Sequence, residues 1–207
     1  MKRFFVLLIL IFTGFPANAD APAIPAILVF GDSISAGYGL AHVEQGWVGM
    51  LRAKLKDEGY GYQVVNASVT GETTAGGLAR LPRALALHHP QVVILELGGN
   101  DGLRALPIDQ MRSNLGKMVD LAVDSGAQVL LLGMRIPPNY GREFTEKFFA
   151  VFADVARDKK TPLVPFLLND IALSPNLMQA DGVHPNELGQ PKLLDNVWPR
   201  LRPLLRK

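Results

Sequence analysis

Ser33, Asp181 and His184 are the residues whose types suit nucleophilic catalysis. A serine hydroxyl is a poor nucleophile until a neutral imidazole takes its proton, and the imidazole needs a carboxylate to fix its tautomer and stabilise the imidazolium. Asp181 and His184 stand three apart in Asp181-Gly182-Val183-His184-Pro185, a tight Gly-containing turn that can present both side chains to one spot. Negative charge developing on an attacked carbonyl needs preorganised donors, and three are available: the backbone N–H groups of Ser33 and Gly71 and the side-chain amide of Asn100. Each member also has an ordinary reading: His184 as a turn residue, Asp181 as a cap, Asn100 as a left-handed turn former and Gly71 as a sharp bend. The other histidines suit the base role less. His88 and His89 fall at a helix C-terminus and His42 in a polar loop.

The elements that must position these groups follow one pattern. Ala26 to Phe30 is a short apolar run that reads as a buried strand, so Ser33 comes just past a strand's carboxyl end. Trp47 to Glu58 is an amphipathic helix closed by Gly59, and Tyr62 to Ala67 a second strand leading through Gly71 into a helix that ends at His88 before Pro90. Val92 to Leu97 is the clearest strand. It runs into Gly98-Gly99-Asn100-Asp101 and then a helix from Ile108 to Ser125, with Ile108, Met111, Leu115, Met118, Val119 and Ala122 facing inward. Val129 to Met134 is a fourth strand; Phe144, Phe148, Phe152 and Val155 mark a helix; Leu163 to Phe166 is a short fifth strand with Pro165 at an edge or its end. A last segment, Glu187 to Leu205, is helical in part, with Pro191 tolerated near its start and Pro199 expected to break or kink it. Apolar strands alternating with amphipathic helices predict a three-layer α/β/α domain around a mostly parallel five-stranded sheet.

The amino end carries a different signal. Lys2 and Arg3 precede an apolar run from Phe4 to Phe12 and the small-x-small pattern Ala17-Asn18-Ala19. This predicts a secretory signal peptide over residues 1–19, cleaved to leave a single domain, 20–207, in the periplasm or outside the cell. The run is short of the roughly 20 residues a membrane span needs, and Gly14 and Pro16 interrupt it. Removing Lys2 and Arg3 from a formal net charge of +2 leaves zero, so nothing points to nucleic acid as a partner, and the basic C-terminus reads as a solvated face. The chain has no cysteine, which excludes a disulfide framework, thiol catalysis and Cys-based metal sites.

Gly31-Asp32-Ser33-Ile34-Ser35, Asn66-Ala67-Ser68-Val69-Thr70-Gly71, Gly98-Gly99-Asn100-Asp101 and Asp181-Gly182-Val183-His184-Pro185 resemble, in order, the four blocks of the SGNH or GDSL hydrolases. Leu97 to Arg104 and Asn139-Tyr140-Gly141-Arg142 are further similar to the bacterial periplasmic thioesterase I, protease I and lysophospholipase group, arylesterases included. The resemblance implies a flavodoxin-like sheet, Ser33 as nucleophile, His184 as general base, Asp181 as its orienting acid, and an oxyanion hole of Ser33, Gly71 and Asn100. It implies two-step acyl transfer from esters or thioesters (acyl-CoA-type thioesters, aryl esters, lysophospholipids) by a monomer with no metal or organic cofactor. Within the same chemistry the alternative is a polysaccharide O-acetyl esterase; outside it, a non-enzymatic periplasmic binding module. A nucleotide-binding domain fits worse, because Gly31, Gly37 and Gly39 do not space as Gly-x-Gly-x-x-Gly and no Gly-Lys-Ser/Thr loop occurs. The apolar loop Met134 to Tyr140, after the fourth strand, is a candidate wall for an acyl trough.

Overall fold

The computed structural model describes residues 24–207; the expected signal peptide lies outside the described residues. Five parallel strands, β1 (Ala26–Gly31), β2 (Gln63–Asn66), β3 (Val92–Glu96), β4 (Gln128–Leu132) and β5 (Leu163–Val164), form one sheet in the order β2-β1-β3-β4-β5. The helices between them are α1 (Ser33–Ala36), α2 (Trp47–Asp57), α3 (Thr74–His88), α4 (Gly99–Leu103), α5 (Ile108–Asp124), α6 (Arg142–Lys159) and α7 (Gln190–Leu201).

Both sheet faces are covered, which is why the central strands are apolar over most of their length. Leu28, Phe30, Val93, Leu95, Val129 and Leu131 point to one core, shared with α3, α5 and α6. The alternate residues Ile27, Val29, Ile94, Leu130 and Leu132 point to the other, closed by α2 and α7 through Trp47, Leu51, Leu55, Leu193, Val197 and Leu201. Trp47 and Gln190 join those two helices, the Trp47 N–H donating to Gln190 Oε1 at 3.0 Å.

The strand order places the site. The chain leaves β1 toward β2 on one side and crosses to β3 on the other, so the loops after β1 and β3 diverge and open a crevice at the carboxyl edge. Ser33 lies in the connection after β1 and Asn100 in that after β3.

Two prolines depart from simple expectation. Pro199 does not break α7, which runs through it to Leu201 before a 3-10 turn at Arg202–Leu204. It lies two residues before the helix ends, on the exposed face that also carries Asp195, whose carbonyl loses the N–H partner. Pro82 lies inside α3 on its exposed face.

Candidate active site

The nucleophile candidate enters its position through a cap. The Asp32 side chain accepts the Ile34 N–H at 3.1 Å and starts the single turn α1, of which Ser33 is the first residue. As a first helical residue Ser33 has no intrahelical acceptor for its N–H. Gly37 closes the turn at φ +77°, a left-handed conformation that favours glycine.

His184 reaches Ser33 from 151 residues away: its Nε2 lies 2.8 Å from Ser33 Oγ. Its Nδ1 lies 2.7 Å from Asp181 Oδ2. A carboxylate only accepts, so Nδ1 carries the ring proton, Nε2 is bare, and the Ser33 hydroxyl donates to it. This is the protonation state in which imidazole can take the serine proton. Asp181 Oδ1 accepts the N–H groups of Val183 at 2.9 Å and His184 at 3.0 Å. Partial burial opposes ionisation of this carboxylate, but those two N–H groups and the His184 ring outweigh it and hold the pKa down at about 2.

Gln179 fastens the turn that carries the pair. Its N–H donates to the His184 carbonyl at 2.8 Å, and its side-chain amide donates to the Tyr38 carbonyl at 2.8 Å and that of Pro185 at 3.1 Å. Tyr38, half exposed, lays its ring against the imidazole, with centroids 4.6 Å apart. Neither residue stands out in the sequence, because each acts only once the loops after β1 and β5 meet.

Asn100 is carried by α4, a short helical turn, and its Nδ2 donates to Asp32 Oδ2 at 3.2 Å. Its amide is therefore anchored beside the Ser33 turn. Gly71 has φ +78°, and its carbonyl accepts Arg104 Nη2 at 3.0 Å. Its loop hangs on the end of β1, where the Val69 N–H donates to the Gly31 carbonyl at 3.0 Å and Asn66 Nδ2 to the Ser35 carbonyl at 2.8 Å. The Gly71 N–H has no acceptor among the described residues. Asp101, next to Asn100, is buried and binds both the N–H and hydroxyl of Thr74, at 2.8 and 2.5 Å, while Asn114 Nδ2 donates to that hydroxyl at 3.1 Å. That clamp joins the start of α3, just after Gly71, to α4.

The loop at 134–140 is only partly what its composition suggests. Met134 and Ile136 are buried in the core rather than lining a trough, leaving Pro137, Pro138 and Asn139 exposed. Tyr140 ties it to α4, its hydroxyl donating to the Leu103 carbonyl at 2.8 Å. Among the described residues no cluster of His, Cys, Asp or Glu is arranged to hold a metal ion, and no helix is long and apolar enough to cross a membrane.

A serine hydroxyl bound to an imidazole whose other nitrogen binds a carboxylate, at the carboxyl edge of a parallel sheet, is an arrangement suited to acyl transfer. Residues 29–191 match the family model described as GDSL-like lipase/acylhydrolase. The chain belongs to that family. As a member it is an ester-hydrolysing enzyme. It is 54% identical over 183 residues to the esterase TesA of Pseudomonas aeruginosa, covering 88% of this chain and 90% of that one. The thioesterase 1/protease 1/lysophospholipase L1 of Escherichia coli K12 is 40% identical over 185 residues, covering 89% and 87%. Among solved structures, a psychrotrophic esterase EstA from Pseudoalteromonas, inhibited by monoethylphosphonate, superposes with a TM-score of 0.82 at 38% identity, covering 86% of this chain and 97% of that one.

Proposed function

We propose that this GDSL-family enzyme hydrolyses carboxylic esters and thioesters through an acyl-enzyme on Ser33. The supporting observation is the continuous hydrogen-bonded line from Ser33 Oγ through both nitrogens of His184 to Asp181. Ser33 Oγ attacks the acyl carbon while His184 Nε2 takes its proton. The tetrahedral oxyanion is met by the N–H groups of Ser33 and Gly71 and by Asn100 Nδ2. Collapse expels the alcohol or thiol, which leaves with the proton from His184. Water then attacks the acyl-enzyme with the same histidine as base, releasing the acid and restoring Ser33. The step uses no cofactor or metal.

The substrate classes follow the relatives' names, which include esterase, arylesterase, thioesterase and lysophospholipase. We take the acting species to be a monomeric single domain beginning at Asp20, exported and cleaved after Ala19. Reaction with an organophosphonate tests the mechanism. The expected result is one adduct per chain, on the peptide containing Ser33 and absent in Ser33→Ala; a folded Ser33→Ala protein with near-normal turnover overturns it.

A further inference from the structure

Glu96, at the carboxyl end of β3, is fully buried and has no part in the steps above. The register pairs it with Gly31, where a side chain on the neighbouring strand would collide with the Glu96 carboxyl group. Oε2 accepts three hydrogen bonds: from the Asp32 N–H at 3.1 Å, the Ser35 N–H at 3.3 Å and the Ser35 hydroxyl at 2.6 Å. These donors bracket Ser33 along the chain. Oε1 is buried and meets no donor, and the charge of Asp32, whose own N–H binds Oε2, bears on the Glu96 carboxyl group. Two neighbouring buried carboxylates do not readily both ionise, and an unpartnered buried oxygen is costly; one proton on Oε1 removes both problems.

We propose that Glu96 is held as a neutral carboxylic acid donating its Oε1 proton to the Asp32 carboxylate, and that this proton-sharing pair positions both Ser33 and Asn100. Through Oε2 it fixes the peptides on either side of the nucleophile. Through Asp32 it holds the Asn100 amide, whose Nδ2 donates to Asp32 Oδ2. Glu96 is a positioning residue, since it touches neither substrate nor reacting atoms. The charges around the pair agree with where the proton sits. Burial and the negative charge of Asp32 raise Glu96 well above the carboxylate range. Asp32, raised by burial to about 6, is countered by the Ile34 N–H, Glu96, His184 and Asn100, and is ionised at neutral pH. His184 is the other titratable group acting on it.

The proposal rests on Ser33 as nucleophile and Asn100 as oxyanion donor, so its tests include one that does not read activity. Infrared spectra of the intact protein at neutral pH should show a protonated-carboxyl stretch that shifts on 13C labelling of glutamate and disappears in Glu96→Gln. In kinetics, Glu96→Leu should lower kcat about 10- to 100-fold with KM little changed, and Glu96→Gln should restore most of it, since glutamine can accept the three donors and donate to Asp32. Asp32→Asn, equally isosteric, turns an N–H toward groups that are themselves donors and should lose about as much as Glu96→Leu. In an Asn100→Ala background that loss should shrink to about threefold or less, because the two residues act through one amide. Absence of the infrared band overturns the shared proton, and equal losses for Glu96→Gln and Glu96→Leu, or an Asp32→Asn loss undiminished without Asn100, overturn the positioning role. Failure of Ser33 to take the organophosphonate while the band persists overturns the mechanism instead.

Discussion

Replacing Asp181 with asparagine preserves shape yet should nearly abolish turnover, for a reason visible in its hydrogen bonds. Asp181 Oδ1 accepts two backbone N–H groups, and Oδ2 faces His184 Nδ1. Asparagine has one oxygen, which the two N–H groups claim, so its NH2 group faces Nδ1. The imidazole must then accept at Nδ1 and carry its proton on Nε2, where it points at Ser33 and can no longer take a proton from it. Restoring the productive tautomer requires flipping the amide and sacrificing two backbone bonds, about 2–3 kcal/mol together, in addition to about 2 kcal/mol for the lost charge-assisted bond to the imidazolium. At 1.36 kcal/mol per decade this amounts to about 10³- to 10⁴-fold in kcat. Asp181→Ala leaves the ring free to choose its tautomer, so the smaller residue should be the less damaging one. The assay is kcat for p-nitrophenyl butyrate, with urea unfolding to show that both variants are folded and 15N NMR of the imidazole to read the tautomer. An Asp181→Asn enzyme within about tenfold of wild type would refute the tautomer argument.

If its amide serves the oxyanion as proposed, Asn100→Ala should lower kcat by about 10²- to 10³-fold with KM little changed; steady-state kinetics in which KM alone moves would make it a substrate-binding residue. Asp32 predicts a pH signature in stability. Its pKa rises from 3.8 to about 6 on folding because burial disfavours the charge. The folded state therefore binds more protons than the unfolded state between about pH 4 and 6, and stability falls as pH rises through that window, by up to about 3 kcal/mol relative to Asp32→Asn. Urea unfolding of both proteins from pH 4 to 7.5 checks it, and parallel curves refute it. For acyl selectivity, with Met134 and Ile136 turned into the core, kcat/KM for butyrate over acetate should gain about threefold to tenfold, below the full value of about 0.8 kcal/mol per methylene; a p-nitrophenyl ester series with a steep maximum at acetate would favour the polysaccharide acetyl esterase. Intact mass of exported protein should begin at Asp20; retention of Met1 to Ala19 excludes cleavage there.

The sheet was legible because parallel strands covered on both faces leave unbroken apolar runs, and the helices because their buried faces recur at helical spacing: Met111, Leu115, Met118 and Ala122 all fall inward. The Ser33, Asp181 and His184 line was legible because so few residue types can do that chemistry. Glu96 was not. Within Val92 to Leu97 it reads as one polar residue in an apolar strand, and its partners Asp32 and Ser35 lie 64 and 61 positions away. Only the β1–β3 register, which sets it against a glycine, gives it meaning. Helices α1 and α4 escaped for a related reason: four and five residues are too few to show a period. At Pro199 the helix carries on for only two residues before giving way to the 3-10 turn, so the proline marks its end rather than cutting it short.

The wide separation of Ser33 and His184 along the chain also has a temporal side. A polypeptide emerging amino end first, from a ribosome or across a translocation channel, presents its nucleophile turn early and its imidazole late. Strands β1, β3 and β4 can pair before the turn after β5 exists outside the exit, and α7 must then seat Gln190 against Trp47 to close the second core. On the proposed roles of Ser33 and His184, a chain that ends before residue 184 lacks its base and should not hydrolyse esters. Hydrolytic competence arrives with completion, and appearance of activity serves as a clock for the last folding event.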